Sequence, residues 1–125
     1  MPNPIVHFEI VGNNGKQLQD FYGKLFGWSI DANNPMEYGM VDTGSGGIAG
    51  GIGPSSAGPG VTVYVEVDDP KAYLDKIESA GGKTVMPVMD VPGGPTIAQF
   101  SDPEGNVVGL DERLGRRTNS LARRC

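Results

Sequence analysis

Cysteine is nearly missing from this chain: Cys125, the last of its 125 residues, is the only one. A single thiol closes no disulfide within the chain, so a cytoplasmic setting is expected. No apolar run approaches the length of a membrane span. The opening Met1-Pro2-Asn3-Pro4 has neither the basic nor the apolar stretch of a secretory leader, and none is expected. Histidine is equally scarce, with His7 alone. A zinc site would therefore have to be rich in carboxylates or shared between subunits. The chain has no Gly-x-Ser-x-Gly elbow, which disfavours a serine hydrolase. The glycines at 44–53 are not followed by Gly-Lys-Ser/Thr and do not lead from a strand into a helix. Tight turns and a close backbone approach explain them better than a phosphate loop.

Arginine is absent until the end. All five (Arg113, Arg116, Arg117, Arg123 and Arg124) lie after Glu112, and no acid follows it. Residues 1–112 hold five lysines against 15 acids, a net of −10, while the tail 113–125 carries +5. An acidic body argues against nucleic acid as a partner and favours cationic ligands. The basic tail reads as a solvated end, the other readings being contact with RNA, with an acidic surface or with its own body.

What is present is one pattern written twice. Val6-His7-Phe8-Glu9-Ile10-Val11 alternates as a strand, as does Val61-Thr62-Val63-Tyr64-Val65-Glu66-Val67. Leu18, Phe21, Tyr22, Leu25 and Phe26 fall on one helical stripe, with a cap signal at Asn13-Asn14-Gly15 and a stop at Gly27. In the second copy Asp69 is the cap, Pro70 opens the helix and Gly81-Gly82 ends it. His7 to Thr62, Leu18 to Tyr73, Tyr22 to Ile77 and Gly27 to Gly82 are one constant shift of 55 positions. Shorter strands are expected near 28–31, 37–42 and 48–52, then near 83–86, 96–101 and 106–111, the last two joined by an Asp102-Pro103-Glu104-Gly105 turn. Each copy thus reads strand, helix, strand, strand, strand. The valine face of each first strand is expected to pack on its helix. The opposite face, with His7, Glu9, Thr62, Tyr64 and Glu66, is then expected to be concave and partly wet.

In this order, His7, Phe21-Tyr22, Gly27-Trp28, Val67-Asp68-Asp69, Gly81-Gly82 and Phe100-Ser101-Asp102-Pro103-Glu104-Gly105-Asn106 resemble the vicinal oxygen chelate superfamily. Its members include glyoxalase I, extradiol dioxygenases, fosfomycin-resistance enzymes and bleomycin-resistance proteins. The resemblance implies an α+β fold: two tandem βαβββ modules forming a cup-shaped mixed sheet with helices on the outer face, commonly a homodimer. The duplicated pattern reads as a single domain over 1–112, with repeats at 5–52 and 61–111 and, from the Gly-Pro and Pro-Gly pairs, a linker at 53–60. The resemblance also implies a divalent metal held by one residue from the first and one from the last strand of each module. Carried over, those stations are His7, Gly51, Thr62 and Gly109. Glycine has no side chain to ligate and a threonine hydroxyl replaces an imidazole poorly, so no metal cofactor is expected.

His7 has two readings: a ligand-contacting or acid–base residue, because its ordinary pKa lies near neutral pH, or a remnant of the fold bonded to a neighbour. Glu9, Thr62, Tyr64 and Glu66 are the candidate ligand-binding residues, with Tyr64 a stacking surface for a flat compound. Trp28 reads as core. A replacement site of His7, Glu9 and Glu66 would suit magnesium or manganese, and is the alternative to a metal-free site. The leading expectation is a small-molecule binding protein of the bleomycin-resistance type, with no nucleic-acid or membrane partner. The rivals are a lyase, isomerase or dioxygenase with a rearranged divalent-metal site, and a scaffold that only dimerises. Whether the chain is an enzyme stays open at this point.

Overall fold

Val6, Phe8 and Ile10 alternate with His7 and Glu9. In the computed structural model, which describes residues 2–113, they form strand β1 (Ile5–Gly12). There follow α1 (Gly15–Phe26), β2 (Ser29–Asp31), β3 (Gly39–Asp42) and β4 (Gly50–Pro54). The second series is β5 (Gly60–Val67), α2 (Pro70–Ser79), β6 (Lys83–Asp90), β7 (Thr96–Ser101) and β8 (Val107–Glu112). The fold is α+β, with strand, helix and three strands written twice. β5 starts and ends 55 positions after β1, at the spacing the repeat predicts. The linker is shorter than expected: β4 runs to Pro54 and β5 begins at Gly60, leaving 55–59 rather than 53–60. β6 is longer than 83–86. No described helix is long and apolar enough to cross a membrane.

The described residues fall into two compact units, 7–62 and 2–6 together with 63–113. In the first, the strand order is β2-β3-β4-β1, with β4 parallel to β1 and the other pairs antiparallel. Asn14 caps α1 by accepting from the Gln17 amide at 3.0 Å, and Gly27 stops it at φ 70°. The helix packs by only part of its apolar stripe, Leu18 and Tyr22. Its inward face is Gly15, Gln19 and Gly23, and a Cβ on Gly15 would stand 2.5 Å from the Pro54 nitrogen. Gln19, 7% exposed, donates through Nε2 to the carbonyls of Ile52 at 2.8 Å and Glu37 at 3.0 Å. Beside this close approach Phe21 is 54% and Leu25 60% exposed, against the expectation of a fully buried stripe. Tyr22 instead stacks on Trp28 (5.9 Å between centroids, 8° between planes), and Trp28 meets Phe8 at 5.6 Å. Trp28 is thus packed among side chains on the helix side. Beneath Phe8 lies Gly50, where a Cβ would fall inside the ring.

In the second unit the order is β5-β8-β7-β6, β5 and β8 parallel and the rest antiparallel. Val67, Leu74, Ala98 and Leu110 form the core, joined by Val65, Tyr73, Ile77, Val88 and Phe100. Fully burying one such aliphatic side chain contributes about 1.5–3 kcal/mol. The valine face of β5 packs on α2 only from Val65 onward, because Val61 is 68% exposed. Asp69 caps α2, and the helix ends at Ser79 with Ala80 as its cap, before the expected Gly81-Gly82. Gly81 then takes φ 103°. The Asp102–Gly105 turn closes with Gly105 N–H to Asp102 C=O at 2.9 Å. The amino-terminal residues join this unit: the Glu66 amide donates to Pro4 C=O at 2.8 Å, and Asn3 Nδ2 donates to Glu66 C=O at 3.0 Å. The outermost strand, β6, carries Pro87 and pairs irregularly with β7, its register shifting between Thr84 and Met86 and again between Met86 and Met89.

Candidate functional site

Alternation sends His7 and Glu9 to the face of β1 away from Phe8, and Glu9 lies opposite Gly51 of β4. With glycine at 51 and 53, that face of β4 is bare. Tyr38, just ahead of β3, fills it. A Cβ on Gly51 would fall inside the Tyr38 phenol, and one on Gly53 would come within 3.0 Å of the ring. The phenol bridges the two β1 side chains, donating to Glu9 Oε2 at 3.2 Å and lying 3.4 Å from His7 Nε2. While the phenol donates to Glu9, its oxygen can accept from His7 in the tautomer that carries the proton on Nε2. Burial pushes the His7 pKa down to about 4, so the ring is neutral at pH 7. The expectation of titration near working pH is corrected here: the desolvated imidazole does not gain a proton until well into the acid range.

Tyr38 is held from several directions. The Asn34 side chain pairs with its backbone twice, Nδ2 donating to Tyr38 C=O at 2.7 Å and Oδ1 accepting from Tyr38 N–H at 3.0 Å. Glu37 before it is a non-glycine residue at φ 54°, and its carbonyl accepts from buried Gln19. A left-handed residue costs about 1–3 kcal/mol, and such strain persists only where the surroundings over-determine it. Sequence reasoning missed Tyr38. The signal was the Gly51-x-Gly53 spacing, which strips one face of a strand and leaves a slot the width of a ring.

The second unit repeats the device with other parts. Gly109 of β8 lies between Tyr64 and Gln99 on the neighbouring strands. A Cβ there would fall inside the Tyr64 ring, whose hydroxyl accepts from Gln99 Nε2 at 3.0 Å. Tyr64 is 3% exposed, so this ring is packed and does not stand open for stacking as expected. Glu66 is opposite Asp111 on β8, and its carboxylate is 3.9 Å from Arg113 Nε. Arg113 also pairs with Asp68 at 3.1 Å. The first arginine of the basic tail thus meets its own unit, while the reading of residues 114–125 falls outside the described residues. Thr62 is half-buried on β5.

The residues present do not fit the metal the resemblance implies. Two of the four stations are glycines, and each is covered by a tyrosine ring bonded to its neighbours. Among the described residues no three His, Cys, Asp or Glu side chains form a group that could hold an ion. No step through a metal follows from this donor set. The chemistry on hand is a neutral imidazole, two phenols and carboxylates, which serve hydrogen bonding, proton transfer and attraction of cations.

Residues 4–110 match the model of the Glyoxalase/Bleomycin resistance protein/Dioxygenase superfamily. Among curated relatives, the chain is 34% identical over 100 residues to CFP32 of Mycobacterium tuberculosis, whose name assigns it to the glyoxylases only provisionally. The match covers 72% of this chain and 38% of that protein. A second relative, the anthracycline biosynthesis protein DnrV of Streptomyces peucetius, is 32% identical over 105 residues, covering 69% of this chain and 38% of DnrV. The chain therefore spans well under half the length of these relatives. Among solved structures, the methylmalonyl-CoA epimerase of Mycobacterium tuberculosis shares the fold with a TM-score of 0.62 at 16% identity, covering 86% of each chain.

Proposed function

This chain belongs to the Glyoxalase/Bleomycin resistance protein/Dioxygenase superfamily, and on that premise we propose that it binds a small polar or cationic molecule without the family's metal. The observation that carries this reading is the pair of tyrosine rings packed over Gly51 and Gly109, the positions where two metal ligands would stand. His7, Glu9 and Thr62 of the first unit are the residues assigned to the ligand, with Tyr38 added. The net charge of −10 over residues 1–112 favours a cation over an anion. The protein is proposed to act as a homodimer in the cytoplasm, bound to neither membrane nor nucleic acid. Calorimetric titration tests this reading. Zinc, magnesium and manganese are expected to give no stoichiometric binding to chelator-free protein, while a panel of cationic aromatic compounds yields a saturable isotherm. A tightly bound divalent ion lost on His7→Ala, or tight binding of an anionic metabolite alone, defeats it.

One observation favours a second reading, an enzyme. The chain His7–Tyr38–Glu9 joins a neutral imidazole to a carboxylate through a phenol, an arrangement able to move a proton. The relative named as a glyoxylase and the structural neighbour named as an epimerase are compatible with a lyase or isomerase. Solvent deuterium appearing in a turned-over small carbonyl compound, abolished by His7→Gln, would favour this reading over simple binding.

A further inference from the structure

We infer that Tyr38 is the ligand-anchoring residue of the first unit, its ring a seat for an alkylammonium cation and Glu9 the counter-charge. This deepens the reading above and rests on it. The ring lies along the bare stretch Gly51–Gly53, so backbone backs one side of it, and Tyr38 as a residue is half-buried. An aromatic face attracts a cation through its quadrupole, and a carboxylate at the ring edge adds charge where it is partly desolvated. Glu9 is that carboxylate, fixed by the phenol at 3.2 Å. The neutral His7 beside the same hydroxyl adds no repelling charge.

The cost of holding Tyr38 is the second line of argument. Space-filling alone needs no left-handed Glu37, no paired Asn34 amide and no buried Gln19 fixing the preceding carbonyl. A larger aliphatic residue at 51 would close the same gap without a specially shaped loop. The arrangement spends backbone strain to present a phenol at one point, beside one carboxylate. Asn34 and Gln19 are positioning residues in this scheme, Asn34 acting on the Tyr38 backbone and Gln19 on the Glu37 carbonyl before it.

Choline and its neutral isostere 3,3-dimethylbutan-1-ol separate charge from shape. On the full chain, calorimetry and the choline methyl proton signal are read together. Choline is expected to bind with its methyl signal shifted upfield by the ring, and the alcohol to bind at least tenfold more weakly. Tyr38→Phe keeps the face and is expected to retain choline within a few-fold. Tyr38→Leu loses tenfold or more, with folding checked by circular dichroism. Glu9→Gln weakens choline and leaves the alcohol unchanged. Equal binding of choline and the alcohol overturns the inference, as does wild-type affinity in a folded Tyr38→Leu, or a choline signal without the upfield shift. Neither compound binding overturns it too. The wider reading of a metal-free binding protein then still stands or falls by the aromatic-cation and metal titrations, which do not depend on choline.

Discussion

At Gly51 one hydrogen atom decides what the site is. Gly51→Ala would drive a methyl group into the Tyr38 phenol, and overpacking of this kind costs about 1–3 kcal/mol. The double variant Gly51→Ala/Tyr38→Ala removes the collision. Denaturant titration of all four proteins should give a coupling energy, with the double variant less unstable than the sum of the singles. Additive effects would mean that the ring is not where it is described. His7 supplies a second measurement. Its folded pKa of about 4 lies below the ordinary imidazole value of 6.5, so between those pH values the unfolded chain takes up a proton that the folded chain refuses. Stability is therefore unpenalised above pH 6.5 and falls as the pH drops toward 4, by up to about 3 kcal/mol. His7→Gln should flatten that segment of the stability profile, and an unchanged slope would show that burial at this site is slight.

Each helix has one polar residue on which its placement turns. For α1 it is Gln19, whose Nε2 serves two carbonyls. Gln19→Leu should cost about 2–3 kcal/mol by chemical denaturation, since buried acceptors lose their donor. It should also loosen the Glu37–Tyr38 segment, read as faster amide exchange there. For α2 it is Asp69, where replacement by alanine should cost about 1 kcal/mol. Sequence periodicity located both helices and the first strand of each copy because 3.6- and 2-residue spacings follow from backbone geometry. It failed on which side of α1 faces inward. Apolar spacing names the residues that prefer to leave water, but Gly15, Gln19 and Gly23 let backbones approach more closely than Phe21 and Leu25 would, and close approach won. The site was legible in part for the same reason. His7, Glu9 and the glycine stations followed from alternation and the resemblance, whereas Tyr38 enters from a non-repeating turn at φ 54° that no periodicity encodes.

Over the whole chain, charge and modular duplication set the behaviour. With a net of −10 over residues 1–112, binding of a monovalent cation should weaken several-fold between low salt and about 1 M salt, because the screening length shrinks to about 3 Å. Titrations at the two ionic strengths check this, and a salt-independent constant would assign the binding to apolar contact. Duplication kept the element order while the parts diverged: a loop tyrosine covers Gly51 and a strand tyrosine covers Gly109. In each unit a tyrosine ring occupies the space beside the glycine station.

The irregular pairing of β6 reaches beyond its own ladder. A strand carrying an imino acid and two register slips offers an incoming chain a broken row of donors, and β2, at the end of the other unit's order, is only three residues long. Both margins are poor templates for strand addition. Crowded solutions should therefore resist fibre growth from these rims.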